Sequence, residues 1–168
     1  MRYAFVCALG CGLGLPPEPS LAQAGPKPEA LVRAHFDLLN RHDLDGLAAQ
    51  YAPDAVLRSM SWEGDHHGPA EARTAYGRYF ATSPDLRYVI TNLVVAPGGI
   101  TVEYTSTGTM QKPEAGEPSY MDGKTYTLRN CTVFGVKNGK ITSESTYFDQ
   151  LAFLRQVGYF DQHPAEKK

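Results

Sequence analysis

The stretch NGKITSESTYFDQLAFLRQVG, residues 138–158, decides the fold. Asn138-Gly139 is a two-residue hairpin signal, because a type I′ turn needs positive φ at both central positions. Ile141 to Phe148 behind it is rich in β-branched and aromatic residues and reads as a strand. The strand ends at Asp149, and Gln150 to Val157 reads as a short helix stopped by Gly158. Leu151, Leu154 and Val157 fall on one face of that helix. Simple alternation puts Asp149 on the same side as Tyr147, Ser145 and Ser143. An acid therefore stands where the last strand meets the last helix.

Working outward, the chain has 168 residues, 16 Lys+Arg against 18 Asp+Glu, and a formal net charge of −2. That length suits one domain with a real core. The mixed charge offers no basic patch for nucleic acid and no polybasic run for a membrane surface. The first residues read as an export signal: Arg2, an apolar run from Tyr3 to Leu15, and a small-x-small site at Ala22-Gln23-Ala24. Cleavage after Ala24 is expected, giving a periplasmic or secreted protein, since the glycine-interrupted run is short for a membrane span. Cys7 and Cys11 lie in that signal, so Cys131 is alone in the mature chain and forms no internal bridge. Cys131 reads as a small buried apolar residue in a strand. Asn130-Cys131-Thr132 matches a glycosylation acceptor, but a mid-strand position argues against its use.

Residues 25–30 read as a linker, and Pro28 suits a first helical turn. The first helix runs to about Asn40, with an apolar stripe of Leu31, Val32, Phe36 and Leu39. Asp43 caps a second helix, Leu44 to Tyr51. Pro53-Asp54 turns into a short strand, Ala55 to Met60, and a polar loop carries Trp62, His66 and His67. Pro69 opens a third helix with Ala72, Ala75, Tyr76, Tyr79 and Phe80 on its apolar side. Leu86 to Ala96 meets Ile100 to Met110 across Pro97-Gly98-Gly99, and Gln111 to Gly123 reads as a flap. Thr125 to Val136 pairs with the strand after Asn138-Gly139, and residues 161–168 read as a flexible tail. The elements add up to an α+β cone: a curved antiparallel sheet of about four long strands plus a short one, wrapped by three N-terminal helices and a short C-terminal one.

The order of motifs resembles SnoaL-like domains of the nuclear transport factor 2-like superfamily over residues 31–160. The resemblance rests on Asn40-Arg41-His42-Asp43-Leu44-Asp45-Gly46-Leu47 and Tyr51-Ala52-Pro53-Asp54-Ala55-Val56. It continues in Ser83-Pro84-Asp85-Leu86, Thr105-Ser106-Thr107-Gly108-Thr109, Gly139-Lys140-Ile141, Tyr147-Phe148-Asp149 and Leu154-Arg155-Gln156-Val157-Gly158. It implies a conical barrel with a deep apolar pocket, often in a homodimer packed sheet to sheet. Relatives include polyketide cyclases, ketosteroid isomerases, epoxide hydrolases, dehydratases and pocket proteins without a known reaction. In the cyclases the acid of the Tyr-x-Asp motif is the acid/base, which matches Asp149, and Tyr147 is read here as its hydrogen-bond donor. The implied ligand is a small apolar carbonyl-type compound, and such aldol-cyclase or isomerase-like chemistry needs no cofactor. The expected lining is Asn40, Tyr51, Trp62, His67, Tyr76, Phe80, Tyr104, Met110, Tyr126 and Ser145.

Ser145 stands where relatives often carry Arg or His, and Met110 where they often carry His, which removes polar partners for an enolate. The other reading of Asp149 is a helix N-cap. His66 and His67 are adjacent, so their side chains diverge and no metal site is expected. The alternative function is a non-catalytic small-molecule-binding or interaction module.

Overall fold

The computed structural model describes residues 27–111 and 119–162. The expected export signal, its cleavage point, the start of the linker, most of the flap and the end of the tail lie outside the described residues. Helix α1 spans Pro28–Arg41, so the linker ends at Lys27. Its apolar stripe is buried, and it stops at His42, whose left-handed φ of 54° lets its N–H reach the carbonyls of Leu38 and Leu39. Helix α2 spans Leu44–Gln50, capped by the Asp43 side chain on the Gly46 N–H at 2.9 Å.

Strand β1 (Tyr51–Ser59), the two-residue β2 (His66–His67) and helix α3 (Gly68–Thr82) follow. Then come β3 (Arg87–Ala96), β4 (Gly99–Thr109), β5 (Thr125–Lys137) and β6 (Lys140–Phe148). Helices α4 (Gln150–Gln156) and α5 (Tyr159–Gln162) close the chain, so α5 takes the first two residues of the expected tail. The strands form one curved sheet in the order β2-β1-β6-β5-β4-β3. It is unclosed, with β2 and β3 as its edges, and forms the cone that the resemblance implies. The expected short strand is nine residues long, and its pairing with β6 is parallel rather than antiparallel.

Asn138 and Gly139 take φ of 53° and 71°, the left-handed pair that the hairpin turn requires. Just beyond them the β5–β6 ladder changes step. Gly135 pairs with Ser143, yet the next residue, Val136, pairs with Ile141, leaving Thr142 as an extra residue. Such a bulge breaks the alternation of the strand that carries it. Ile141 and Glu144 thus both face the concave side, three residues apart, and Thr146 and Phe148 follow Glu144. Gly135 suits this place, because a Cβ there would lie 2.5 Å from Ser143 Oγ and 3.1 Å from Thr142 Oγ1.

The core lies between the helices and the concave face, built around Val32, Leu47, Leu57, Val102, Phe134 and Ile141. Each such side chain contributes about 1.5–3 kcal/mol on full burial. A smaller cluster of Met110, Met121 and Val157, joined by Phe153 and Tyr126, seats α4 over the end of the sheet. Two expectations fail here. Leu151 is exposed, because α4 turns Phe153 and Leu154 inward instead. Cys131 is only partly buried, because on β5 the inward positions are Leu128, Asn130, Thr132 and Phe134.

Candidate functional site

A cavity of ≈ 280 Å³ opens on the concave side of the sheet, against α3 and α4. Helix α3 supplies Tyr76 and Tyr79, strands β3 and β4 supply Tyr88, Tyr104 and Ser106, and β5 supplies Tyr126, Leu128 and Asn130. Strand β6 supplies Glu144, Thr146 and Phe148; helix α4 supplies Phe153 and Leu154. Trp62, in the loop before β2, stacks on Tyr79 with ring centroids 6.3 Å apart. The Tyr79 hydroxyl is anchored by Ser61 Oγ at 2.8 Å. Asn130 is a structural amide here: its Nδ2 donates to Ser106 Oγ at 3.0 Å and to the Leu128 carbonyl at 3.1 Å.

Glu144 is only 3 % exposed. It sits on the sheet between Leu57 of β1 and Phe134 of β5. Tyr51 donates to its Oε2, and Tyr76 donates to its Oε1 at 2.5 Å. Thr146 Oγ1 stands 3.4 Å from the same Oε1 and links through Thr132 Oγ1, at 2.8 Å, to the Tyr104 hydroxyl, at 3.1 Å. Behind Tyr76, 3.5 Å from its hydroxyl, lies Nε2 of the fully buried His35. Gln50 donates to the Leu31 carbonyl through Nε2, so its Oε1 accepts from His35 Nδ1–H at 2.8 Å.

Burial sets the titration of this cluster. It lowers the His35 imidazole below its usual range, against the opposing pull of the Glu144 charge and the Gln50 hydrogen bond. Tyr51 and Tyr76 are raised well above theirs, by burial first and the Glu144 charge second. Tyr88, Tyr104 and Tyr126 are raised by burial as well. All of these phenols stay protonated at neutral pH, and Tyr51 and Tyr76 donate to Glu144.

Of the expected lining, Trp62, Tyr76, Tyr104, Met110 and Tyr126 do line the cavity. The others stand elsewhere. Tyr51 is a buried donor to Glu144 beneath the floor. Asn40 pins β3, accepting from the Tyr88 N–H at 2.8 Å and donating to its carbonyl at 2.9 Å. Phe80 stacks on the His42 ring at 4.1 Å. His67 is exposed at the start of α3. Ser145 faces the convex side, out of phase with Glu144.

The two residues expected to carry catalysis are also outside the cavity. Tyr147 is 52 % exposed on the convex face. Asp149 is exposed and caps α4, its Oδ1 accepting from the Ala152 N–H at 2.9 Å. Among the described residues, the acid that lines the cavity is Glu144, which alternation from Asp149 had placed on the opposite side. Its signal in the sequence was its place as the one acid between Ile141 and Phe148. His35 gave a weaker one, standing beside Phe36 on the apolar side of α1.

Residues 32–144 match the sequence model of the SnoaL-like domain. No curated protein matches the chain. Among solved structures, a candidate SnoaL-like polyketide cyclase from Jannaschia sp. CCS1 superposes with a TM-score of 0.70 at 20 % identity, over 83 % of this chain and 96 % of that one. Wild-type IdmH, a candidate polyketide cyclase from Streptomyces antibioticus, gives 0.67 at 21 % identity, over 79 % of this chain and 99 % of its own. A hypothetical protein of Catenulispora acidiphila with a ketosteroid isomerase-like fold, in complex with trimethylamine, gives 0.66 at 18 %, over 79 % and 95 %. These likenesses establish the shared fold.

Proposed function

The chain belongs to the SnoaL-like domain family, and we propose that it binds a small, mostly apolar molecule in the cavity beside α3 and α4. The observation that carries this reading is the cavity itself, aromatic on its walls with a few placed polar groups, the usual make-up of a small-molecule site. Trp62 is the one tryptophan of the sequence and lines that cavity, so its fluorescence reports occupancy. Titration with a panel of small aromatic and alicyclic compounds, ketones among them, is expected to give saturable changes. A flat response to every member would contradict the reading.

A second reading keeps acid/base chemistry on a carbonyl compound and moves it from Asp149 to Glu144. The observation favouring it is the carboxyl among the cavity-lining groups. It requires turnover of a ketone by the wild type and a loss of about 10²–10⁴-fold in Glu144→Gln, the usual cost of a missing acid/base group.

Export and self-association complete the proposal. The small-x-small site at Ala22 and Ala24 supports a mature chain starting at Gly25, and N-terminal sequencing that finds Met1 on the functional protein would rule it out. The convex face exposes Val89, Val133 and Tyr147, apolar area suited to a homodimer. A monomer mass by light scattering at high micromolar concentration would argue against one.

A further inference from the structure

We propose that the ligand of this cavity is an organic cation, a small protonated amine or quaternary ammonium whose head group is held by the aromatic walls and Glu144. The proposal rests on the reading of the cavity as a ligand site. It starts from a buried carboxyl, that of Glu144, which no basic side chain among the described residues meets in an ion pair.

Both carboxyl oxygens of Glu144 are engaged by tyrosine hydroxyls, partners that carry no charge of their own. On the sheet its neighbours are Leu57 and Phe134. Hydroxyl donors orient this carboxyl but bring no opposite charge, and an opposite charge nearby offsets the cost of burying its anionic form. The basic group nearest by hydrogen-bond connection, His35, is screened from the carboxyl by Tyr76 and kept neutral by burial. Arg78 also borders the cavity, but it is solvent-exposed, where water and salt weaken its field. Glu144 lines the cavity, so a ligand there lies beside it.

The walls on that side are aromatic. Trp62, Tyr79, Tyr104 and Phe148 line the same space as Glu144. Aromatic faces attract a cation through their quadrupole, most strongly where water is excluded. A neutral apolar occupant would strip water from the carboxylate and return nothing for it. A cationic head would supply an opposite charge and meet aromatic walls suited to it.

The test compares two molecules of one shape, phenyltrimethylammonium and its neutral isostere tert-butylbenzene, titrated against Trp62 fluorescence. The cation is expected to bind the wild type at least about tenfold tighter, the scale of a desolvated cation–π contact plus a charge partner. Glu144→Gln, checked for folding by circular dichroism, is expected to erase that preference. Equal or tighter binding of tert-butylbenzene to the wild type overturns the proposal with no need of the variant, while leaving the cavity as a ligand site. A preference that survives in folded Glu144→Gln overturns it too. If neither compound binds, the proposal falls, and the cavity reading is then judged by the wider panel.

Discussion

On the concave face of β6 stand Glu144, Thr146 and Phe148; on the convex face stand Ser143, Ser145 and Tyr147, with Asp149 just beyond. The two faces carry similar residue types, hydroxyls, an aromatic ring and an acid, yet their surroundings differ completely. Glu144 is buried and held by two phenols, whereas Asp149 is exposed and spends its carboxyl on a helix N–H. The lesson is that an acid's chemistry here follows from strand phase, and that one extra residue, Thr142, sets the phase.

Deleting Thr142 attacks the comparison most directly. Without the bulge, Ile141 and Glu144 cannot both face inward, and a one-residue slip turns side chains to the opposite face. We expect a loss on the order of 4 kcal/mol or more, in the range of the severest single changes, seen as a missing cooperative melt. A wild-type melting curve would mean that the bulge is dispensable.

Next in size is a pair of matched phenol deletions, one per face. Tyr51→Phe strips a donor from buried Glu144 and is expected to cost about 1–3 kcal/mol in urea unfolding. Tyr147→Phe, on the exposed face, should stay within about 0.5 kcal/mol of wild type. Equal effects would erase the distinction between the faces.

Acid should also find the inner face first. His35 has its folded pKa lowered from 6.5 by burial, so the unfolded chain takes up its proton at higher pH than the folded one. The stabilising term is therefore complete above pH 6.5 and is lost as the pH falls through the folded value. Thermal melts from pH 8 down to pH 5 should show a falling Tm, with a shallower fall in His35→Gln. On the alkaline side, the raised phenols Tyr51 and Tyr76 make stability decline as pH rises above 10. A Tm that holds level or rises from pH 8 to pH 5 would contradict the assignment of a buried neutral imidazole.

The smallest effect belongs to the outer acid. Asp149→Ala should cost roughly 0.5–2 kcal/mol as a lost cap, and Asp149→Asn much less, since Asn caps about as well. A large destabilisation by Asp149→Asn would require a role for its charge that the cap does not explain.

Local rules carried much of the fold. The turn at Asn138-Gly139, the Asp43 cap, the Pro28 and Pro69 helix starts and the alternation of β4 each follow from a few neighbouring residues. The length of β1 was hidden because Pro53-Asp54 signals a turn. The strand tolerates Pro53 at a break in its pairing with β6, between Tyr51 and Val56. The site was less legible for a related reason. Nothing local to Ile141 through Phe148 marks Thr142 as extra, since the bulge is a property of the pairing with Gly135. The tyrosines of α3, β4 and β5 were found because residue type suffices for a wall, whereas Glu144 needed the register.

The central claim is that Glu144, and not Asp149, is the acid of the ligand cavity. The most direct measurement is the affinity for phenyltrimethylammonium, by Trp62 fluorescence, of Glu144→Gln and Asp149→Asn side by side with wild type. Binding weakened about tenfold or more in Glu144→Gln and unchanged in Asp149→Asn is the predicted result. Binding lost in Asp149→Asn and kept in Glu144→Gln would contradict it.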